Sequence, residues 1–416
     1  MLRIKQVSEE LGVPVSTIRF WQKEFAEFVS PGRTDGGQRR YSESDLAAFA
    51  QIKQLVYGKK LPIDTARQRL KQKGSTGIDW SQQVILITGG TGSFGKHFCR
   101  YMLDQYSPKA IRVYSRDELK QHEMRMEFQD DQRLRFLIGD VRDADRLRRA
   151  MEGVDMVVHA AALKQVPACE YNPFEAVKTN IHGAQNVIDA AIDGGIKKVI
   201  ALSTDKAVNP VNLYGATKLC SDKLFTQGNA YAGGKGTRFA CVRYGNVIGS
   251  RGSVIPVFLK QKPTGRITIT DQRMTRFWIT LDQAVELVLK GFQYMEGGEI
   301  FIPRIPSMRI VDLAAAIAPE CKIDHIGIRE GEKLHESLTG EDEGRHAYKY
   351  KGMYVIMPSY SWWQRKNYVG AEKMPDGFIY TSDSNEEWMS VEDLRQIVFG
   401  SKAAEIAPVR KVARVR

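Results

Sequence analysis

The stretch QVILITGGTGSFGK, residues 83–96, decides how this chain is read. Val84 to Ile87 are all aliphatic, a run that suits a strand buried on both faces, as in a parallel sheet. Gly89, Gly92 and Gly95 follow at GxxGxxG spacing, with Thr91, Ser93 and Phe94 in the same loop and a helical stretch after them. A backbone bare of side chains can turn tightly there. It can also bring a pyrophosphate against the amides of a helix N-terminus, where the helix dipole favours an anion. The loop therefore predicts a dinucleotide site.

Further along, IRVYS (111–115), LRFLIGD (134–140), MVVHAAA (156–162), KKVIALS (197–203) and FACVRYG (239–245) alternate with helical stretches. Such alternation implies βαβ units, hence an α/β fold of the Rossmann type with a doubly wound parallel sheet. The nucleotide-binding core is expected over about 82–245. The mixed pattern of 246–400 reads as a smaller, mostly C-terminal substrate lobe. Ser115-Arg116-Asp117 and then Lys120 stand where an NAD-selective site would place a carboxylate at the end of the second strand. Arg116 and Lys120 can neutralise a 2′-phosphate while Ser115 donates a hydrogen bond, which favours NADP, although Asp117 leaves NAD open. Asp140 and Val141 end the third strand and could flank the adenine. Ala160 to Ala162 end the fourth, where small side chains leave room for a cofactor.

Tyr214 and Lys218 have YxxxK spacing. On a helix, positions four apart share a face, so the ammonium can approach the nicotinamide ribose and lower the pKa of the Tyr hydroxyl, making it an acid/base for a carbinol. Ser203-Thr204-Asp205-Lys206 precedes them and adds an acid and an amine beside the same reacting sugar. These motifs identify the chain as a member of the extended short-chain dehydrogenase/reductase class. A carboxyl and an amine on one sugar ring suit elimination, because one group can remove a carbon-bound proton and the other can protonate a leaving hydroxyl.

The dense set ITGGTGSFGK, YSRDELKQ, HAAALKQVPACEYNP, STDKAVNPVNLYGATK, VRYGNVIGSRGSVIP, MTRFWIT and IREGEKLHE, between about 82 and 340, resembles the inverting UDP-N-acetylglucosamine 4,6-dehydratases that begin pseudaminic acid biosynthesis. Membrane-anchored relatives that retain configuration at C5 typically carry Met where this chain has Tyr214. The resemblance implies an NADP-dependent lyase in which Tyr214, assisted by Lys218, handles the C4 hydroxyl proton and Thr204 holds the C4 oxygen. Lys206 takes the C5 proton, Asp205 assists loss of the C6 hydroxyl, and C5 is reprotonated from the opposite face. As a base at neutral pH, Lys206 needs a pKa below its ordinary value, expected from burial near Lys164 or Lys218, with Asp205 working against that shift. Lys164 is expected at cofactor or substrate, Asn180 in ordering the active-site backbone, and Asn246, Val247, Arg251, Arg329 and Glu332 at the UDP-sugar. A homo-oligomer, dimer or hexamer, is also expected.

Residues 1–72 read as a separate all-helical domain. Val7, Leu11, Val13, Ile18 and Trp21 recur at helical spacing, broken at Gly12, whose freedom at positive φ suits a tight turn. Ser42 offers an N-cap for a helix from Glu43 to about Tyr57. The segments IKQVSEELGVPVSTIRFWQKEF, GQRRYSESDLAAFAQI and KKLPIDTARQRL resemble the winged helix-turn-helix domain of MerR-type regulators. That resemblance implies DNA binding, with Thr17 and Arg19 facing the major groove and Arg39, Arg40 and Tyr41 at the backbone phosphates. MerR-type regulators continue into a long dimerising helix, which the enzyme-like part replaces here, so a protein-docking module on the same scaffold remains an alternative. Residues 73–81 read as a linker.

The 416 residues carry 61 Lys plus Arg and 49 Asp plus Glu, a formal charge of +12. Of that, residues 1–72 hold +5 (13 basic against 8 acidic) and residues 401–416, read as a basic disordered tail, hold +4 (5 against 1), leaving the catalytic part near neutral. The five cysteines are too far apart for zinc-ligand or redox-dithiol spacing, so no metal site is expected. No apolar run is long enough to span a bilayer, and no signal core opens the chain. The expected location is the cytoplasm. Two other readings stay open: a UDP-sugar epimerase, and a transcription regulator whose dehydrogenase domain senses NADP or a UDP-sugar.

Overall fold

A computed structural model of the chain describes residues 2–29, 31–33, 38–58, 62–67, 77–250, 253–360, 363 and 368–400. Arg251, residues 73–76 of the linker segment and the basic tail lie outside them. The chain divides into two compact units, Met1–Ile78 and Asp79–Arg416.

In the first unit, helix α1 (Ile4–Leu11) ends at Gly12, whose φ of 61° lets the chain reverse into α2 (Val15–Glu24). Two short strands, Gly32–Arg33 and Arg39–Arg40, pair antiparallel as a small wing. Helix α3 (Glu43–Lys53) follows, its start held by reciprocal bonds between Ser42 and Asp45. The apolar faces of these helices meet in one core that contains Val7, Ile18, Trp21, Phe25, Tyr41 and Phe49.

The second unit is built on a ten-stranded sheet. Strands β1 (Val84–Thr88), β2 (Ala110–Ser115), β3 (Leu134–Ile138), β4 (Met156–His159), β5 (Lys198–Thr204), β6 (Arg238–Tyr244) and β7 (Ile300–Pro303) run parallel in the order 3-2-1-4-5-6-7. Beyond β7 the sheet continues antiparallel through β9 (Met353–Ile356), β8 (Ala347–Tyr350) and β10 (Glu372–Lys373). The lobe expected over 246–400 is thus interleaved with the sheet, because β7 to β10 return from it to extend the sheet edge. The rest of that segment closes around its own core of Ile255, Phe258, Met274, Trp278, Leu313 and Leu394. Strand order reverses between β1 and β4. In an open α/β sheet such a reversal leaves a crevice at the carboxyl ends of the strands.

Candidate active site

The glycine loop sits at that crevice. Gly89 has φ 66°, and a Cβ there would lie 2.9 Å from the backbone of Ala160 and Ala161 at the end of β4. A Cβ on Gly95 would overlap the Gly90 backbone. Both glycines are therefore required by packing. They leave the N-terminus of helix α4 (Ser93–Gln105) open above the sheet, a cradle that fits a dinucleotide pyrophosphate. One cleft of about 630 Å³ runs from this loop to the end of β5. It is lined by all the residues expected at the cofactor: Gly89, Thr91, Gly92, Ser93, Phe94, Gly95, Ser115, Arg116, Lys120, Asp140, Val141, Ala160, Lys164, Tyr214 and Lys218. Thr204, Lys206, Asn246 and Val247 line it as well.

At the end of β2, the Thr91 hydroxyl donates to Ser115 Oγ at 3.1 Å. Asp117 caps the following helix by accepting the Lys120 amide at 3.0 Å, and it pairs with the Lys120 ammonium at 2.6 Å. Asp140 is gripped by Arg142 at 2.7 Å and approached by Arg116 at 3.5 Å. Both acids near this corner are thus already engaged by cations.

The groups expected to be catalytic come from the end of β5 and from helix α5 (Leu213–Ala232). Asn212 caps α5 by accepting the Gly215 amide at 2.8 Å. Gly215 packs so closely on the Lys206 carbonyl that a Cβ would overlap the oxygen, which fixes Tyr214 beside the Thr204-Asp205-Lys206 turn. Asn180, fully buried on a π-helical turn, binds both the amide and the carbonyl of Leu163 at 2.9 Å and donates to Thr217 at 3.0 Å. It ties the segment bearing Lys164 to the helix bearing Tyr214 and Lys218.

Asp205 is completely buried. Its Oδ1 accepts from the Thr204 hydroxyl at 2.9 Å and from Lys206 Nζ at 3.0 Å, while Oδ2 has no hydrogen-bond partner among the described residues. Burial raises the Asp205 pKa, and Glu336 adds to the rise. The expectation for Lys206 is overturned: its pKa lies above the ordinary lysine value. Burial does oppose its charge, but Asp205 and Glu336 outweigh burial, so the resting group is an ammonium. Tyr214 is pushed up to about 12 by burial, and Lys206 and the Thr204 hydroxyl work against that rise. Lys206 is thus one cation that acts on the phenol, while Lys218, which lines the same cleft, has its own pKa lowered by burial.

Glu336 was not among the residues singled out by sequence. It is buried, with Oε1 3.2 Å from Lys206 Nζ and 3.8 Å from Arg276 Nε, and Oε2 3.7 Å from Lys333 Nζ. These residues lie in IREGEKLHE and MTRFWIT, so the motifs were visible but their meeting point was not. Arg329 and Glu332 are not brought to the cleft. Arg329 is exposed, and Glu332 sits 3.5 Å from Arg276 on the loop that leads to Glu336.

In the first unit Arg19 and Arg39 are exposed, whereas Thr17 and Arg40 are half-buried. Tyr41 departs from the phosphate-contact expectation. Its ring packs on Phe49 in the core and its hydroxyl donates to Gln22 at 3.0 Å.

No cluster of three or more His, Cys, Asp or Glu suited to a metal occurs among the described residues, and no helix there is long and apolar enough to cross a membrane. Residues 85–358 match the family model described as polysaccharide biosynthesis protein, and residues 2–73 match the MerR HTH family regulatory protein model. A UDP-N-acetylglucosamine 4,6-dehydratase (inverting) of Campylobacter jejuni subsp. jejuni serotype O:2 is 54% identical over 328 residues, which cover 77% of this chain and 98% of that protein. A UDP-glucose 4-epimerase of Rickettsia akari is 41% identical over 326 residues, 76% of this chain and 95% of the relative. The X-ray structure of Pen from Bacillus thuringiensis superposes with a TM-score of 0.71 at 41% identity, covering 78% of this chain and all of that one.

Proposed function

From the premise that this chain belongs to the inverting UDP-N-acetylglucosamine 4,6-dehydratase family of polysaccharide biosynthesis proteins, we propose that it dehydrates UDP-N-acetylglucosamine and inverts C5, giving the 4-keto-6-deoxy-L-arabino sugar nucleotide that begins pseudaminic acid synthesis in the cytoplasm. The observation that carries this reading is the pairing of Lys206, which lines the cleft with Tyr214 at the end of β5, with the fully buried Asp205. NADP, when bound, supplies reversible hydride acceptance, taking hydride from C4 and returning it at C6. Its selection over NAD is supported by the engaged acids at the end of β2, where Arg116 remains at the mouth of the cleft to meet a 2′-phosphate.

The proton inventory is set by the chain itself. Tyr214 takes the C4 hydroxyl proton as its phenolate, the form that the Lys206 charge and the Thr204 hydroxyl favour against burial, and the resulting ketone acidifies C5. Lys206 passes its proton to Asp205, leaving a neutral amine and a neutral acid side by side, and burial of Asp205 favours that transfer. The amine takes the C5 proton. Asp205 gives its proton to the departing C6 hydroxyl, water leaves, and the pair returns to ammonium and carboxylate. C5 then takes a proton from the opposite face, and Tyr214 gives up the one it took from the C4 hydroxyl, so that all three groups regain their starting states. Proton NMR of UDP-N-acetylglucosamine incubated with the full chain tests the reading, because a new C6 methyl doublet appears only on dehydration. A C4 epimer without that methyl favours an epimerase, and unchanged sugar favours a ligand sensor.

For the first unit, the support is the match to MerR-type regulators together with the exposed Arg19 on α2 and Arg39 in the wing. In this reading the unit binds duplex DNA through α2 and the wing. A gel shift with the full chain should then weaken steeply between about 50 and 200 mM salt, as phosphate contacts require. Binding insensitive to salt points instead to a protein-docking module.

A further inference from the structure

We propose that Glu336 is the positioning residue for Lys206, the fixed negative charge that keeps the amine basic while Asp205 is protonated. The inference rests on the dehydratase reading and extends it to a residue 130 positions away from the catalytic turn.

Three observations converge. First, Glu336 lies 3.2 Å from Lys206 Nζ on one side and meets Arg276 and Lys333 on the other, all in a pocket where Glu336 is buried. Secondly, Lys333 also donates to the carbonyls of Asp205 and Val208, so the loop that delivers Glu336 is bolted to the catalytic turn. Thirdly, the two carboxylates on Lys206 are not equivalent. Each carboxylate has one oxygen without a hydrogen-bond partner among the described residues, so the difference lies in the cations: the Asp205 carboxylate is ion-paired with Lys206 alone. Glu336 faces three cations, which hold it ionised despite its burial.

Proton accounting gives this asymmetry a purpose. At the start a charged Lys206 is paired with the carboxylates of Asp205 and Glu336. After internal transfer Lys206 and Asp205 are neutral. Once the amine has taken the C5 proton, Lys206 is charged again while Asp205 still holds its proton. Among the described residues Glu336 is then the one carboxylate paired with the ammonium. Without it, the ammonium forms beside the substrate enolate with no ionised carboxylate of the protein paired to it, and abstraction of the C5 proton loses driving force.

The test uses the full chain carrying Glu336→Gln and, separately, Glu336→Asp, with three readouts: cofactor reduction, which reports C4 oxidation; deuterium wash-in at C5 in D2O; and KM for UDP-N-acetylglucosamine. Glu336→Gln is expected to keep KM and C4 oxidation within about threefold while C5 wash-in falls at least about tenfold, with Glu336→Asp recovering part of it. Equal losses of C4 oxidation and C5 wash-in, or wash-in at the wild-type rate, overturn the proposal. Should Glu336→Gln not fold, wash-in by Glu336→Asp at or above the wild-type rate overturns it. A wild-type chain that neither oxidises C4 nor exchanges C5 sinks the dehydratase reading instead. The Glu336 assignment is then decided by titrating Lys206 in ligand-free protein by pH-dependent amine labelling. Lys206 should deprotonate at clearly lower pH in Glu336→Gln, and an unchanged titration overturns the assignment.

Discussion

Lys206 Nζ lies 3.0 Å from Oδ1 of Asp205, its neighbour in sequence, and the two share a site in which Asp205 has no exposed surface. Adjacent residues on regular structure point apart. Here the single 3-10 turn Asp205–Ala207 after β5 brings them onto one side. The pair can therefore exchange one proton and act as acid and base on neighbouring carbons. Lys206→Ala is expected to abolish both dehydration and C5 exchange, a loss on the order of 10²- to 10⁴-fold, while C4 oxidation persists. Asp205→Asn removes both the acceptor for the Lys206 proton and the donor to the C6 hydroxyl, so it too should slow C5 exchange and water loss by a similar factor. Deuterium incorporation and methyl formation, followed in the same NMR tube, measure both, and exchange at the wild-type rate in Asp205→Asn would show that Lys206 does not pass its proton to Asp205.

At the other end of the cleft, Arg116 approaches Asp140 at 3.5 Å, a loose contact that a 2′-phosphate can replace. Arg116→Ala is expected to lower affinity for NADP about tenfold or more and leave NAD nearly unchanged. Titrating each cofactor against the full chain gives the ratio. An equal loss for both cofactors would mean that Arg116 does not read the 2′ position.

The parts of this site that lie close together in sequence were readable from it. The aliphatic run, the glycine spacing and the two short motifs between Ser203 and Lys218 each place their chemistry within a turn or two of regular structure. Glu336, Arg276 and Lys333 were not readable in that way, because they reach Lys206 through chain reversals in the lobe that spacing does not encode. The charges around Lys206 also changed a sign: the sequence argued for a lysine made less basic by burial near other lysines, whereas Asp205 and Glu336 outweigh burial and make it more basic. Tyr41 erred for a related reason. An aromatic flanked by arginines reads as a nucleic-acid contact, but the short wing turns its ring inward onto Phe49.

Gly215 offers a test of how tightly helix α5 is set against the catalytic turn. A methyl group there would overlap the Lys206 carbonyl and touch Pro210 at 3.0 Å. Backbone cannot swing aside as a flexible side chain can. Gly215→Ala should therefore cost about 1–3 kcal/mol of stability and push Tyr214 away from Thr204. The expected outcome is a fall in C4 oxidation larger than any rise in KM, measured by steady-state kinetics on protein whose folding is checked by circular dichroism. Wild-type kinetics in a stable Gly215→Ala protein would show that the helix and turn are not rigidly coupled.

His159, at the end of β4, is wholly buried, and its Nδ1 shares a 2.8 Å hydrogen bond with the Thr88 hydroxyl. Burial, assisted by the charge of Lys218, lowers its pKa to about 3 in the folded chain. An unfolded histidine titrates near 6.5, so between these values the unfolded state binds a proton that the folded state refuses. The contribution to stability is fully present above pH 6.5 and is lost as the pH falls, at about 1.4 kcal/mol per unit. From pH 6.5 to 5 the loss from this group comes to about 2 kcal/mol. His159→Asn keeps an acceptor for Thr88 but no titrating ring. It is expected to be less stable at pH 7.5 and to lose less on acidification, so that the two urea midpoints converge toward pH 5. Wild-type and variant curves that stay parallel from pH 7.5 to 5 would show that His159 does not carry the acid sensitivity assigned to it.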